Sequence, residues 1–207
     1  MKVCLMRAAL LLLATCAPLL AAPPPLPAEH LTVTTLPPNA PHRIYVLDEA
    51  FNNEIDARIH VFDGSGRLIE SAWILLGQAI GDDSVPGIGS KAIADIPPEE
   101  RTTPAGRFVT MPGRNANDRP VVWVDYDGGV SMHVVITGTP GEHRLERLAS
   151  PDPARHRISW GCINLPADFF KRVVQPAFAE PGGIVYVLPE TRPLGDVFAL
   201  ASSTVGK

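Results

Sequence analysis

Ile55, Ala57, Ile59 and Val61 alternate with Glu54, Asp56, Arg58 and His60. Side chains two apart share a face of a strand, so this run fits a β-strand with one apolar and one wet face. The same period of two recurs down the chain. Asp63-Gly64-Ser65-Gly66 supplies a hairpin turn into 67–76, and further strands are expected at 44–47, 107–111, 121–126, 130–137 and 183–188. Asp127-Gly128-Gly129 fits a tight turn that makes 121–137 a β-ribbon. Only one stretch reads as helix: Pro166 and Asp168 suit a first turn, Phe170, Val173 and Val174 share a face, and Pro176 stops or kinks it. The expected fold is mainly β, an antiparallel β-sandwich-like domain with one short helix after Cys162.

The rest of the chain frames this domain. Residues 1–22 combine Lys2 and Arg7, an apolar run and small residues ending at Ala22, the three parts of a secretory signal peptide. Export to the periplasm or cell wall is expected. The run is shorter than the ~20 apolar residues of a spanning helix and no later stretch qualifies, so no transmembrane anchor is expected. Leu13-Ala14-Thr15-Cys16 resembles a lipoprotein box, with Thr15 a poor match, so lipid anchoring at Cys16 is the lesser reading. Residues 23–41 hold seven of the 22 prolines and few large apolar groups, and read as a Pro-rich linker. One domain follows at 42–190, then a tail at 191–207 expected to be loosely held. The formal net charge is −4, and loss of Lys2 and Arg7 makes it more negative, which does not suit a nucleic-acid partner. Oligomeric state leaves no signal.

Once the leader is removed, taking Cys4 and Cys16 with it, Cys162 has no partner cysteine. An unpaired thiol in an oxidising compartment is either buried and inert or kept for its reactivity. Its surroundings favour the second. Gly161 clears space beside the sulfur, and a helix expected to start a few residues after Cys162 would lower the thiol pKa and offer N–H donors to an oxyanion. A nucleophilic thiol also wants a base, and the choices are His133, His143 and His156. His133 lies on an expected strand, which positions a base better than the loop holding the other two. A zinc site is not expected, because no pair among His133, His143, Asp152, His156 and Cys162 has common ligand spacing. Two turn-rich segments, 77–105 and 138–157, are candidate groove walls. Trp73, Trp123 and Tyr126 are read as core or sheet-face residues with no assigned role.

Ser159-Trp160-Gly161-Cys162-Ile163-Asn164, downstream of His133, resembles the signature of the L,D-transpeptidase (YkuD-type) family: a His, then Ser/Thr-x-Gly-Cys-apolar-Arg/Asn. Thr103-Pro104-Ala105-Gly106-Arg107-Phe108 matches a second motif of that family, Thr-Pro-x-Gly-x-Phe. The resemblance implies acyl transfer on peptidoglycan stem peptides. The thiolate attacks the carbonyl at the L-centre of the third residue of a tetrapeptide, D-alanine leaves, and the thioacyl-enzyme passes its acyl group to an amine in a 3→3 cross-link. Water as acceptor would give an L,D-carboxypeptidase, and a fold that has lost turnover would give a wall-binding domain. Carried over by residue, Cys162 is the nucleophile and His133 the base. Gly161 with Cys162 donates to the oxyanion, and Ser159 shapes the site. Asn164, Arg157 and Trp160 bind substrate. No metal or organic cofactor is implied. Trp160 stands where many members have a second His, and the loop 138–157 is longer than usual, with Arg144, Arg147, Arg155 and Arg157 as candidates to grip stem carboxylates.

Overall fold

The computed structural model describes residues 43–47, 57–63, 67–179 and 182–198. The expected leader, lipobox cysteine and linker, the first part of the alternating run and residues 199–207 lie outside the described residues. Its strands are β1 (Arg43–Leu47), β2 (Arg58–Phe62), β3 (Leu68–Trp73), β4 (Leu76–Gly77), β5 (Gly106–Val109), β6 (Met111–Arg114), β7 (Pro120–Asp125), β8 (Val130–Val134), β9 (Arg157–Ser159), β10 (Ile163–Leu165) and β11 (Ile184–Val187). They form a five-stranded sheet in the order β3-β2-β1-β11-β5, a four-stranded sheet in the order β10-β8-β7-β6, and the small pair β4-β9. The domain is mainly β, as expected, and its sheets are mixed. β1 with β11, β8 with β10 and β4 with β9 run parallel, while the remaining pairs are antiparallel.

The core fills the space between the two larger sheets. Ile59 and Val61 of β2 and Val185 and Val187 of β11 join Val122 and Val124 of β7, Met132 of β8, and Ile163 and Leu165 of β10 in one buried cluster. Phe169, Phe170, Val173 and Val174 close it from the helix that follows β10. That helix opens as Ala167–Phe169, widens to a π-helical turn at Phe170–Val174 and closes as Gln175–Ala177. Pro176 lacks an N–H and crowds the preceding turn, so a local widening lets the helix continue past it instead of stopping.

Four expectations need correction. The alternation puts His60 on a wet face of β2, yet it is buried and its Nδ1 lies 2.6 Å from Ser71 Oγ. The single strand expected at 107–111 is two strands in different sheets, with the buried Thr110 at the corner, where its N–H donates to Gly183 O at 2.9 Å. The segments 77–105 and 138–157 contain short 3-10 turns, β4 and β9 reach into them, and 138–157 also holds the helix α1 (Arg144–Leu148). The start of the tail is held firmly. The buried Asp82 carboxylate accepts from the backbone N–H groups of Glu190, Thr191 and Arg192, and Phe198 packs 6.0 Å from Tyr186, centroid to centroid.

Candidate active site

Alternation along β8 sends Met132 into the core, with Val134 packed against it, and leaves Ser131 and His133 on the opposite face. β10 lies parallel to β8 with Asn164 opposite His133. Cys162 is the residue just before β10, so its sulfur comes to rest beside β8. Sγ lies 3.8 Å from Ser131 Oγ and 3.6 Å from Gly129 O. His133 lies on the same face of β8 as Ser131, close enough to Cys162 for imidazole and thiol to act on each other electrostatically. Its Nδ1 lies 2.8 Å from Val134 O, a pure acceptor, so Nδ1–H donates there and Nε2 is the nitrogen left for the sulfur.

The two groups shift each other's titration. Burial by itself would raise the Cys162 thiol, but the hydrogen bond and charge of His133, with Ser131, outweigh it and hold the thiol below its ordinary value. Burial likewise depresses His133, and the hydrogen bond and charge of Cys162 outweigh that and hold the imidazole above its ordinary value, against a small opposing push from the Arg144 charge. Both shifts favour a thiolate–imidazolium pair, the reactive form of a cysteine nucleophile.

The turn that presents the sulfur is fixed from several sides. Gly161 has φ 111, and a Cβ there would sit 2.6 Å from Thr102 O, so glycine is required. Thr103 Oγ1 donates to Gly161 O and accepts from Gly77 N–H, both at 2.8 Å. The Thr-Pro-x-Gly-x-Phe segment thus touches the cysteine segment directly. Ser159 Oγ donates to Cys162 O at 2.6 Å and accepts the Gly161 N–H at 3.1 Å. Asn164 Nδ2 also donates to Cys162 O, at 3.1 Å, while Asn164 Oδ1 accepts from Arg144 Nη1 at 2.8 Å. Arg144 is buried and pairs through Nε with Glu142 at 2.6 Å.

Several residues therefore sit otherwise than the sequence suggested. The helix begins at Ala167 after Pro166, as expected, but β10 lies between it and the sulfur, and the thiol is held low by His133 and Ser131 of β8. The Gly161 N–H points to Ser159 Oγ, away from an oxyanion role. Asn164 is fully buried and spends both ends of its amide on protein groups. Arg157 pairs with the nearly buried Glu190 at 2.5 Å, clamping β9 to the start of the tail. Trp160 is partly buried, with the Arg101 guanidinium 4.7 Å and that of Arg144 5.8 Å from its ring centroid, and its Nε1 is buried without a hydrogen-bond partner. Of the other histidines, His143 is exposed and pairs with Glu146, and both ring nitrogens of the buried His156 face carbonyl oxygens.

Sequence reasoning did not single out Ser131, Thr103, Glu142 or Arg144 for these parts. Thr103 carried a signal as the first residue of the second motif, and Ser131 as the residue two before His133 on the same strand. Arg144 appeared only within a cluster of arginines. His133 also borders a cleft of about 200 Å³ with Arg119 and Lys171 at its edge. Among the described residues no three His, Cys, Asp or Glu side chains come together as a metal site, and no helix is long and apolar enough to cross a membrane.

No protein-family model and no curated protein matches the chain. Among solved structures it is similar to an L,D-transpeptidase from Xylanimonas cellulosilytica DSM 15894, at 13% identity and TM-score 0.40, over 74% of this chain and 63% of that one. It is also similar to the helical cell shape determining protein Pgp2 from Campylobacter jejuni, at 15% identity and TM-score 0.44, over 74% of this chain and 49% of that one. The chain thus spans less than two thirds of the length of either. A likeness of this degree assigns no residue a role.

Proposed function

We propose that the chain is an exported cysteine acyltransferase acting on peptidoglycan stem peptides, with Cys162 as nucleophile and His133 as its acid–base partner. The observation that carries this reading is the placement of the Cys162 sulfur against the Ser131–His133 face of β8, where thiol and imidazole each push the other toward its charged form. It is supported by the contact of Thr103 with Gly161, which joins the two motifs shared with the L,D-transpeptidase pattern.

The chemistry follows from the positions. The Cys162 thiolate attacks the carbonyl carbon at the L-centre of the third stem residue. With the Gly161 N–H held by Ser159, the Cys162 N–H is the amide of this turn assigned to the oxyanion. His133 Nε2–H delivers its proton to the departing nitrogen, the C–N bond breaks, D-alanine leaves and a thioester remains. An incoming amine then attacks the thioester, His133 takes its proton, and the C–S bond breaks to return the thiolate. Ser159, Asn164 and Arg144 position the turn and need not touch substrate. Trp160, braced by two guanidinium groups, forms a wall of the site.

Mass spectrometry of products from a disaccharide-tetrapeptide tests this. Release of D-alanine with formation of a cross-linked dimer is expected, and Cys162→Ala abolishes both. Tripeptide without dimer would make water the acceptor, and release retained by Cys162→Ala would remove Cys162 from the mechanism.

A further inference from the structure

The face of the four-stranded sheet that carries Ser131 and His133 does not end at β8. The register continues it: Ser131 lies opposite Trp123 on β7, and Trp123 lies opposite Met111 on β6. On this same face the Cδ1–Nε1 edge of the Trp123 indole is turned toward Gly113, where a Cβ would come within 2.7 Å of both atoms. A side chain at 113 would displace the indole, so the glycine makes room for its edge. Tyr126 stands edge-on to the indole, with ring centroids 5.1 Å apart and planes at 72°. Tyr126 is 68% exposed and Met111 57% exposed, so this is not a core cluster. It is an amphipathic aromatic floor beginning one strand away from the residue that touches the thiol.

We propose that the Trp123–Tyr126–Met111 patch is the subsite for the glycan ring that carries the stem peptide. This rests on the function proposed above and extends it from peptide to saccharide. Two magnitudes support the assignment. Adjacent strands lie about 4.8 Å apart, which sets β6 roughly 10 Å from β8 and the sulfur beside it. A stem whose third residue is attacked has two residues between that centre and the sugar, and extended chain covers roughly 7–10 Å over two to three residues. The patch therefore spans one to two strand spacings from β8, and its β6 side falls at about the distance of the sugar from the reacting carbon. The chemistry also matches, since a sugar ring offers an apolar C–H face to a flat indole and a polar edge to a tyrosine hydroxyl.

Binding measured by calorimetry on Cys162→Ala protein, with a free stem tetrapeptide and with the same peptide attached to its disaccharide, tests the proposal. The disaccharide form is expected to bind about three- to tenfold more tightly, the range of one aromatic stacking contact. Trp123→Leu and Tyr126→Ala should each reduce that advantage, and the exposed position of Tyr126 keeps its variant folded. An N-acetylglucosamine trimer without peptide should quench tryptophan emission, and Trp123→Leu should remove the quench. Equal affinities for the two peptides, or an advantage untouched by both variants, would overturn the proposal. The acyltransferase reading is judged separately, by acylation of Cys162 in the unsubstituted protein. Acylation without a sugar advantage sinks only the glycan subsite, and a sugar advantage without acylation sinks only the enzyme.

Discussion

Replacing Arg144 by Met should destabilise the protein far more than a surface arginine would, and should do so through the cysteine turn. The Arg144 side chain is 5% exposed and the Glu142 side chain 21% exposed, with Nε and Oε2 2.6 Å apart. Removing one member of a buried pair leaves the other charge uncompensated, at a cost of about 3–5 kcal/mol. The loss of the cation–π contact with Trp160 adds about 0.5–1 kcal/mol. Against a total stability of about 5–15 kcal/mol, the variant should still fold but with little margin. At a urea m-value of about 2 kcal/mol per molar, the midpoint should fall by roughly 2 M. The double variant Glu142→Gln with Arg144→Met removes the stranded carboxylate. It should recover part of the loss, leaving about 1–3 kcal/mol for the unsatisfied Asn164 Oδ1. Urea titrations followed by far-UV circular dichroism on parent, both single variants and the double variant close the cycle. A single Arg144 variant within about 1 kcal/mol of the parent, or a double variant no more stable than it, would refute the idea of a buried charged anchor behind the nucleophile.

Other consequences can be measured directly. Because His133 holds the Cys162 thiol below its ordinary value, alkylation by iodoacetamide should persist at pH values where a free thiol is protonated and fall only as pH drops through the lowered value. Because the His133 pKa is raised, its proton should be held to higher pH than that of an ordinary histidine, so the alkaline loss of activity should come later than a free imidazole would give. His133→Ala should move the alkylation profile back toward an ordinary thiol, and superimposable profiles would count against the pair. Gly161→Ala forces a side chain into a positive-φ position against Thr102 O, so a loss of about 1–3 kcal/mol is expected in thermal melts. A melting curve unchanged from the parent would show that the turn is not rigid. Arg119→Ala and Lys171→Ala, at the edge of the cleft beside His133, should each raise KM for an anionic stem peptide about two- to fivefold at low salt, an effect that added salt should shrink. A KM that ignores both changes and salt would exclude the cleft from substrate recognition.

What could be read from the sequence divides by the range of the interaction. The antiparallel pairing of β2 with β3, the β7–β8 ribbon and the helix after Pro166 are local, and turn residues with period-two or helical spacing announce them. β9 and β10 are three residues each, too short for any period, and their pairing comes from contacts with Leu76 and Met132 that are distant in sequence. The wet face assigned to His60 failed for the same reason. Alternation marks which side chains share a face, but only the neighbouring elements decide whether that face meets water.

The site divides in the same way, and its helix correction shows why. From the sequence, the helix behind Cys162 was the nearest available source of positive potential, since linear distance is the only distance a sequence displays. In the fold, the parallel pairing of β10 with β8 sets His133 directly across from Asn164, two residues from the thiol, so a charge 29 positions away in the chain outranks the helix terminus five positions away. The same pairing explains the use of Asn164. Its backbone exchanges hydrogen bonds with Leu75, and its side chain ties Cys162 O to Arg144, so a residue read as a substrate contact is the knot joining β10, the strand region around Leu75 and α1. Motif residues in a β-rich site are therefore divided between those that meet the substrate and those that hold the strand geometry. Burial and hydrogen-bond saturation distinguish them: Asn164 is fully buried with both ends of its amide used, whereas Cys162 is only partly buried, with its sulfur beside Ser131.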